Sequence, residues 1–158
     1  MTARSAARRL RPASQLLALG LTLGTAQAVE LNPAAVIYQL PDQIKWKDPL
    51  GVSGAKSAVL VGDPSKSGLY VVLVKWLPGN FSRPHYHPND RFITVVKGTW
   101  WVGTGNKFDP GATVPMPAGS FVTHFGRQVH WDGAKDEEAI LVISGEGPAT
   151  STRVEEAK

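Results

Sequence analysis

Short runs of β-branched and aromatic residues, separated by Gly, Pro, Asn and Asp, occupy most of the chain. Such runs are typical of β-strands bounded by turns. They predict strands at residues 57–61, 69–77, 92–97, 100–102, 120–124, 129–131 and 139–144, with a further short strand at 35–40. No stretch shows a long apolar stripe with a period of 3.6. The pattern therefore predicts an all-β protein, an antiparallel sandwich or barrel of the jelly-roll kind.

Two of the connections carry a turn signal. Residues 63–68 read Asp-Pro-Ser-Lys-Ser-Gly and predict a hairpin connection between the first two strands. Lys97-Gly98-Thr99 predicts a tight turn between two later strands.

The N-terminal residues 1–28 have the features of a secretory signal peptide. Arginines at positions 4, 8, 9 and 11 precede an apolar run at 16–23, and Ala26-Gln27-Ala28 is a small-x-small cleavage signature. We therefore expect an exported protein, periplasmic or secreted. Residues 29–148 are expected to form a single domain, and 149–158, which are polar and charged, a loose C-terminal tail.

Removal of the predicted signal changes the charge of the chain. All 13 acidic residues lie downstream, and four of the 17 basic residues leave with the signal, so the mature chain has a net charge of 17 − 4 − 13 = 0. A neutral chain without a basic run gives no support for nucleic acid or a membrane surface as partner. The absence of cysteine excludes disulfides and thiolate ligands.

All four histidines lie in one third of the chain, at positions 85, 87, 124 and 130. Imidazole is the commonest protein ligand of transition metals, so this clustering indicates a metal site. Alternate residues of a strand point to the same face, and Pro84 and Pro88 favour extended backbone, so His85 and His87 should converge. A third ligand must come from another strand, and both His124 and His130 are candidates.

The spacing around His-x-His resembles the first motif of the cupin superfamily. That motif runs Gly, five residues, His-x-His, three or four residues, Glu, six residues, Gly. Here Gly79, His85, His87, Arg91 and Gly98 stand at those positions, so only the glutamate is replaced.

The second cupin motif is less complete. Gly111, five residues and Pro117-Ala118-Gly119 match its start, but no histidine follows at the usual distance. The chain is most similar to small, often exported bacterial cupins whose extended second motif ends in His-aromatic. On that comparison His130, followed by Trp131, matches the second-motif ligand.

The resemblance implies an antiparallel double-stranded β-helix, the cupin jelly-roll barrel, with residues 79–148 as its most specific part. It implies one divalent metal held by His85, His87 and His130. His124 is either a fourth ligand or a base or proton shuttle beside the metal. Imidazole ligands suit Zn²⁺, Fe²⁺, Cu²⁺ and Ni²⁺, whereas the missing carboxylate lowers the expectation of Mn²⁺.

Arg91 has three interpretations, because a guanidinium keeps its proton and repels a dication. It pairs with Asp90 or Asp132, it binds the carboxylate of an anionic substrate, or it is a solvated arginine at the start of a strand. Gln128 and Trp131 are further candidates for substrate contact, and Gln128 also fits a turn.

Two functions follow from this resemblance. The protein acts on a small molecule inside the barrel as a metal-dependent enzyme, such as a dioxygenase, or it is a non-catalytic binding or sensing module, with or without metal. Fold alone does not choose between them. Because barrel cupins commonly pair through edge strands, a homodimer is also expected.

Overall fold

The structure, a computed structural model, describes residues 29–48 and 54–154, so the predicted signal peptide lies outside the described residues. The chain divides into two compact units, residues 1–38 and 39–158. The second unit contains the strands described below. In the described part of the first unit, the backbone carbonyl of Asn32 accepts hydrogen bonds from the amides of Ala35 and Val36, both at 3.0 Å.

The described part of the second unit is built almost entirely of β-strands. A short 3-10 helix, Pro41–Gln43, precedes ten strands: β1 (Ala55–Val61), β2 (Gly68–Trp76), β3 (His85–Tyr86), β4 (Arg91–Lys97), β5 (Thr99–Thr104), β6 (Val114–Pro117), β7 (Phe121–His124), β8 (His130–Gly133), β9 (Ala139–Gly147) and β10 (Thr152–Arg153). The seven strands predicted from 57 to 144 are confirmed. The strand predicted at 35–40 is wrong, because a turn at 33–35 begins this stretch and no strand follows there.

The strands form two five-stranded antiparallel sheets. One sheet has the order β1-β2-β9-β4-β7 and the other β10-β3-β8-β5-β6. The predicted all-β fold is therefore confirmed as an antiparallel jelly-roll sandwich. No helix within the described ranges has the length and apolar character needed to cross a membrane.

Alternate side chains of the central strands point inward and form the core. Ile93 and Val95 of β4 are buried, as are Leu141 and Ile143 of β9, while residues between them are more exposed. Full burial of one such aliphatic side chain stabilises the fold by about 1.5–3 kcal/mol. The period-2 pattern fixes the register of both strands, since a slip by one residue would expose this whole set.

The predicted turn at Lys97-Gly98-Thr99 connects the two sheets. β4 pairs with β7 and β9, whereas β5 pairs with β6 and β8, so the chain changes sheet at Gly98. Gly98 has a φ of +69°, and a Cβ there would lie 2.1 Å from the backbone oxygen of Glu138. Both the conformation and the close approach require glycine.

The expectation of a loose tail from residue 149 is wrong for residues 149–154. β10 pairs with β3, and the amides of Ala149 and Val154 donate to the carbonyls of Pro64 and Pro84. The composition of this segment is polar, but its backbone hydrogen bonds are satisfied by the sheet edge and by loops. The C-terminal segment is therefore part of the barrel.

Gly98→Ala should destabilise the protein through a steric clash as well as through its backbone conformation. The matched control is Gly105→Ala, where φ is +97° but nothing lies within 4 Å of the added Cβ. Gly105→Ala should lower the free energy of unfolding by about 1–2 kcal/mol, because of its left-handed conformation alone. The free energy of unfolding of Gly98→Ala, measured by denaturant titration, should fall clearly further. Equal losses in the two variants would contradict a role for the contact with Glu138.

Candidate metal centre

His85 and His87 enter the site from an extended segment. His85 is in β3 and lies opposite His130 of β8 in the antiparallel register. His87 follows β3, with 7% of its surface exposed, and His130 is 4% exposed. The structure thus brings the His-x-His pair and the late histidine to one place.

Each of these three imidazoles donates its Nδ1 proton to a backbone carbonyl. The acceptors are the oxygens of Arg83 for His85 (2.8 Å), Thr150 for His87 (2.8 Å) and Gln128 for His130 (3.0 Å). A carbonyl oxygen only accepts, so every Nδ1 carries the proton. The neutral rings therefore present unprotonated Nε2 atoms.

These Nε2 atoms face one another. Nε2 of His85 lies 3.2 Å from Nε2 of His87, and the Nε2 of His130 is buried without a hydrogen-bond partner among the described residues. One ring nitrogen from each histidine lies within 4.8 Å of the other two. Converging lone pairs repel unless a cation lies between them, and an imidazole oriented by a carbonyl at its other nitrogen is the usual form of a metal-binding histidine. The three histidines are able to hold a metal ion.

Burial keeps His87 and His130 neutral. Loss of hydration is the main cause that lowers the pKa of His87 to about 2 and that of His130 to about 4, and the Arg91 charge contributes to both shifts. The charge of Asp132 opposes the shift at His130. Only the neutral imidazole binds a metal, so His87 and His130 are in their ligating form at neutral pH.

Arg91 begins β4 and reaches the same point. Its Nη1 donates a hydrogen bond to Nε2 of His87, while its Nε is buried and lacks a partner among the described residues. Burial lowers the pKa of Arg91, and the nearby groups of Tyr70 and Asp132 oppose that effect. The interpretation of Arg91 as a solvated arginine is therefore wrong, because its guanidinium lies inside the barrel.

The predicted pair between Arg91 and Asp90 is also wrong. The Oδ1 of Asp90 instead accepts a hydrogen bond from the amide of Gly126 at 2.7 Å. Asp90 thus holds the loop that follows His124.

His124 lies next to His130 rather than between His85 and His87. The rings of His124 and His130 are 3.8 Å apart at their centroids, and together with Asp132 they form a second group with donor atoms within 4.8 Å. Both ring nitrogens of His124 are buried without a partner in the described part of the chain. Burial lowers the pKa of His124 to about 2, so its imidazole is neutral at neutral pH and carries a proton on only one ring nitrogen.

Asp132 and Thr150 belong to the site, although the sequence does not predict either as a site residue. Asp132, predicted only as a partner of Arg91, stands two residues after His130 on the same strand and is buried. The His-x-Asp spacing is the same signal that placed His85 and His87 on one face. No pattern in the sequence indicates Thr150, because it acts through its backbone oxygen.

Gln128 and Trp131 do not reach the cavity beside the histidines. The side chain of Gln128 is exposed, and the residue contributes its carbonyl to His130. Trp131 is 1% exposed, and its ring packs against Phe81 and Phe108. On β8 it alternates with His130 and Asp132, which explains its different surroundings.

A cavity of about 550 Å³ opens beside the histidines. Its apolar wall includes Val74, Trp76, Phe81, Trp100, Leu141 and Ile143, and its polar wall includes His85, His87, Arg91 and Asp132. The volume and the mixed lining are those of a small-molecule site.

The jelly-roll fold and the histidine cluster define a cupin. Within this superfamily, residues 34–150 match the family described as the ChrR cupin-like domain, and the chain belongs to that family. The resemblance to cupins inferred from the two motifs is thus confirmed. None of the curated proteins compared with the chain matches it in sequence.

Solved structures with the same fold are distant in sequence. The polyketide cyclase RemF from Streptomyces resistomycificus has a TM-score of 0.64 and 13% identity, covering 78% of this chain and 88% of its own. An RmlC-like cupin from Shewanella frigidimarina has a TM-score of 0.55 and 20% identity, with 71% and 90% covered. The DMSP lyase DddQ from Ruegeria pomeroyi has a TM-score of 0.58 and 13% identity, with 73% and 63% covered.

The stability of the metal-free protein should fall as the pH is lowered below about 6.5. The folded-state pKa values of His87, His124 and His130 lie below the ordinary 6.5, so the unfolded chain takes up more protons. Each of these histidines should therefore lower the free energy of unfolding by about 1 kcal/mol per pH unit. Thermal unfolding of chelator-treated protein between pH 6.5 and 5 measures this loss.

The matched comparison is His124→Gln, which removes one of the three titrating groups. Its stability should depend less steeply on pH, by about one third. A wild-type protein whose stability is constant between pH 6.5 and 5 would show that these histidines are hydrated.

Proposed function

We propose that this protein is an exported cupin that binds one divalent transition metal through His85, His87 and His130. In this proposal a small molecule occupies the adjacent cavity and the protein acts on it as a metal-dependent enzyme. Zn²⁺, Fe²⁺, Cu²⁺ and Ni²⁺ suit a site of neutral imidazoles.

One observation carries the proposal. The partly buried His85 and the buried His87 and His130 donate Nδ1–H to three carbonyls and turn their Nε2 lone pairs toward one another. A purely structural histidine cluster would alternate donors and acceptors, because facing lone pairs repel, and among the described residues only Arg91 donates to one of them. A cation removes that penalty.

In this proposal the residues around the site have different functions. The three histidines hold the ion, whose contribution when bound is to polarise an oxygen atom of the small molecule. The apolar wall excludes water, and Arg91 and Asp132 supply charges inside the cavity. His124 lies in the adjacent group with His130 and Asp132, from which it either acts as a fourth ligand or assists proton transfer beside the ion.

An enzymatic function is consistent with the activities of two proteins that share the fold. These proteins are a polyketide cyclase and a DMSP lyase, so the same fold carries enzymes that act on small molecules. At 13% identity neither substrate transfers to this chain.

A second candidate function is a non-catalytic binding or sensing module. The observation that favours it is the hydrogen bond from Arg91 to His87, which occupies a ligand atom with a cationic group. Turnover distinguishes the two functions: oxygen uptake by the Fe²⁺ form with candidate substrates supports an oxygenase, and ligand binding without turnover supports a sensor.

Export and dimer formation are also part of the proposal. Export rests on the signal-like residues 1–28, and fractionation of the producing cells tests it. Pairing through an edge strand rests on the resemblance to barrel cupins, and sedimentation analysis of the purified protein tests it.

Protein purified without added metal should contain about one transition-metal ion per chain. His85→Ala and His130→Ala each remove an Nε2 ligand. Loss of a residue that only orients a ligand lowers metal affinity ~10–100-fold, so loss of the ligand itself should lower it by at least that factor. Elemental analysis of the wild type and variants measures the retained metal.

Gln128→Ala is the matched control for His130→Ala. It leaves intact the backbone carbonyl that accepts from His130, and the side chain it removes is exposed. It should keep its metal. A folded wild-type protein that takes up no metal would exclude the proposed centre.

A further inference from the structure

Charged side chains line the cavity beside the histidines. The described lining residues include one carboxylate, of Asp132, and the cationic side chains of Lys56, Arg83, Arg91 and Arg153. Arg83 and Arg153 are exposed and Lys56 is partly buried, so these three lie toward solvent. Cavities lined by one sign of charge concentrate ligands of the opposite sign.

Arg91 is the cationic side chain whose guanidinium lies in the interior of the cavity. It makes no ion pair with a carboxylate of the described residues, and Asp132 affects it only from a longer distance. Its one hydrogen-bond acceptor is neutral, and its Nε has no partner in the described part of the chain. Asp132 lies in the same cavity without pairing with Arg91, so the Nε of Arg91 remains a charged donor that the carboxylate of a ligand can satisfy.

The contact between Arg91 and His87 excludes ligation of a metal by His87. Because Nδ1 of His87 donates to Thr150, the ring has one lone pair, on Nε2. That lone pair either accepts the proton of Arg91 or binds an ion. Arg91 must therefore leave His87 before all three histidines can act as ligands.

We propose that the cavity binds a small organic carboxylate with an apolar body, that Arg91 is its anchor, and that the carboxylate and the metal ion strengthen each other's binding. This proposal rests on the metal centre proposed above. The carboxylate gives Arg91 an anionic partner in place of His87, which frees Nε2 for the ion. Such coupling is reciprocal, so the ion must raise the affinity for the carboxylate by the same factor.

The geometry favours a carboxylate over a phosphate. A guanidinium binds a planar carboxylate through two parallel hydrogen bonds. A phosphate dianion would need a second buried cation, whereas the other lining cations lie toward solvent, and Lys56 already pairs with Asp48 at 3.2 Å. The wall of Val74, Trp76, Leu141 and Ile143 suits an apolar body such as an aromatic ring.

The test measures Zn²⁺ affinity by competition with a chromophoric chelator, in the presence of phenylacetate or of its neutral analogue phenylacetamide. Phenylacetate should raise the Zn²⁺ affinity of the wild type about fivefold or more, a usual size for coupled sites, and phenylacetamide should not. This comparison needs no variant. Arg91→Gln should bind Zn²⁺ more tightly than the wild type without phenylacetate and should not respond to it.

Three outcomes would overturn the proposal. An unchanged Zn²⁺ affinity in saturating phenylacetate removes the coupling, and an equal response in Arg91→Gln shows that phenylacetate binds the ion directly. Equal responses to phenylacetate and phenylacetamide show that the negative charge is irrelevant. Calorimetric titration of phenylacetate into chelator-treated protein gives a second readout, because binding there should depend on Arg91.

The same measurements distinguish failure of the proposed coupling from failure of the proposed metal centre. Zn²⁺ binding that is lost in His130→Ala but insensitive to phenylacetate leaves the centre intact and overturns the coupling. No Zn²⁺ binding by either the wild type or Arg91→Gln overturns the centre itself, and the coupling with it.

Discussion

The backbone carbonyls of Arg83, Gln128 and Thr150 set the orientation of the imidazoles on which the whole site depends. Each accepts a proton from Nδ1, so a ring that would otherwise rotate and exchange its proton is held with Nε2 inward. These carbonyls come from three separated parts of the chain, and the jelly roll is what brings them together. The hydrogen bonds thus link the fold directly to the chemistry of the ligand atoms.

Burial then determines the charge state of the interior. His87, His124 and His130 lose hydration and stay neutral, while Arg91 stands where the first cupin motif has a glutamate and adds a positive charge to the same volume. The position to which the cupin motif gives a carboxylate thus carries the opposite charge. Asp132 supplies a negative charge to the interior from β8 instead.

The fold and the histidine triad follow from local patterns, whereas the remaining features depend on long-range contacts. Alternation predicts β4 and β9, and two-residue spacing predicts that His85 and His87 converge. The spacing of Arg91 shows that a carboxylate is missing, but only the structure shows its contact with His87. β10 was not predicted, because a polar two-residue strand carries no periodic signal and is defined by its pairing with β3.

The hydrogen bond from His87 to Thr150 has a consequence for the biogenesis of the protein. Synthesis proceeds from the N-terminus, so His85, His87 and His130 emerge from the ribosome before the segment that contains Thr150. Until that segment pairs with β3, His87 lacks the acceptor that fixes its ring. The orientation of all three histidines is therefore complete only after the last strand of the described chain has paired.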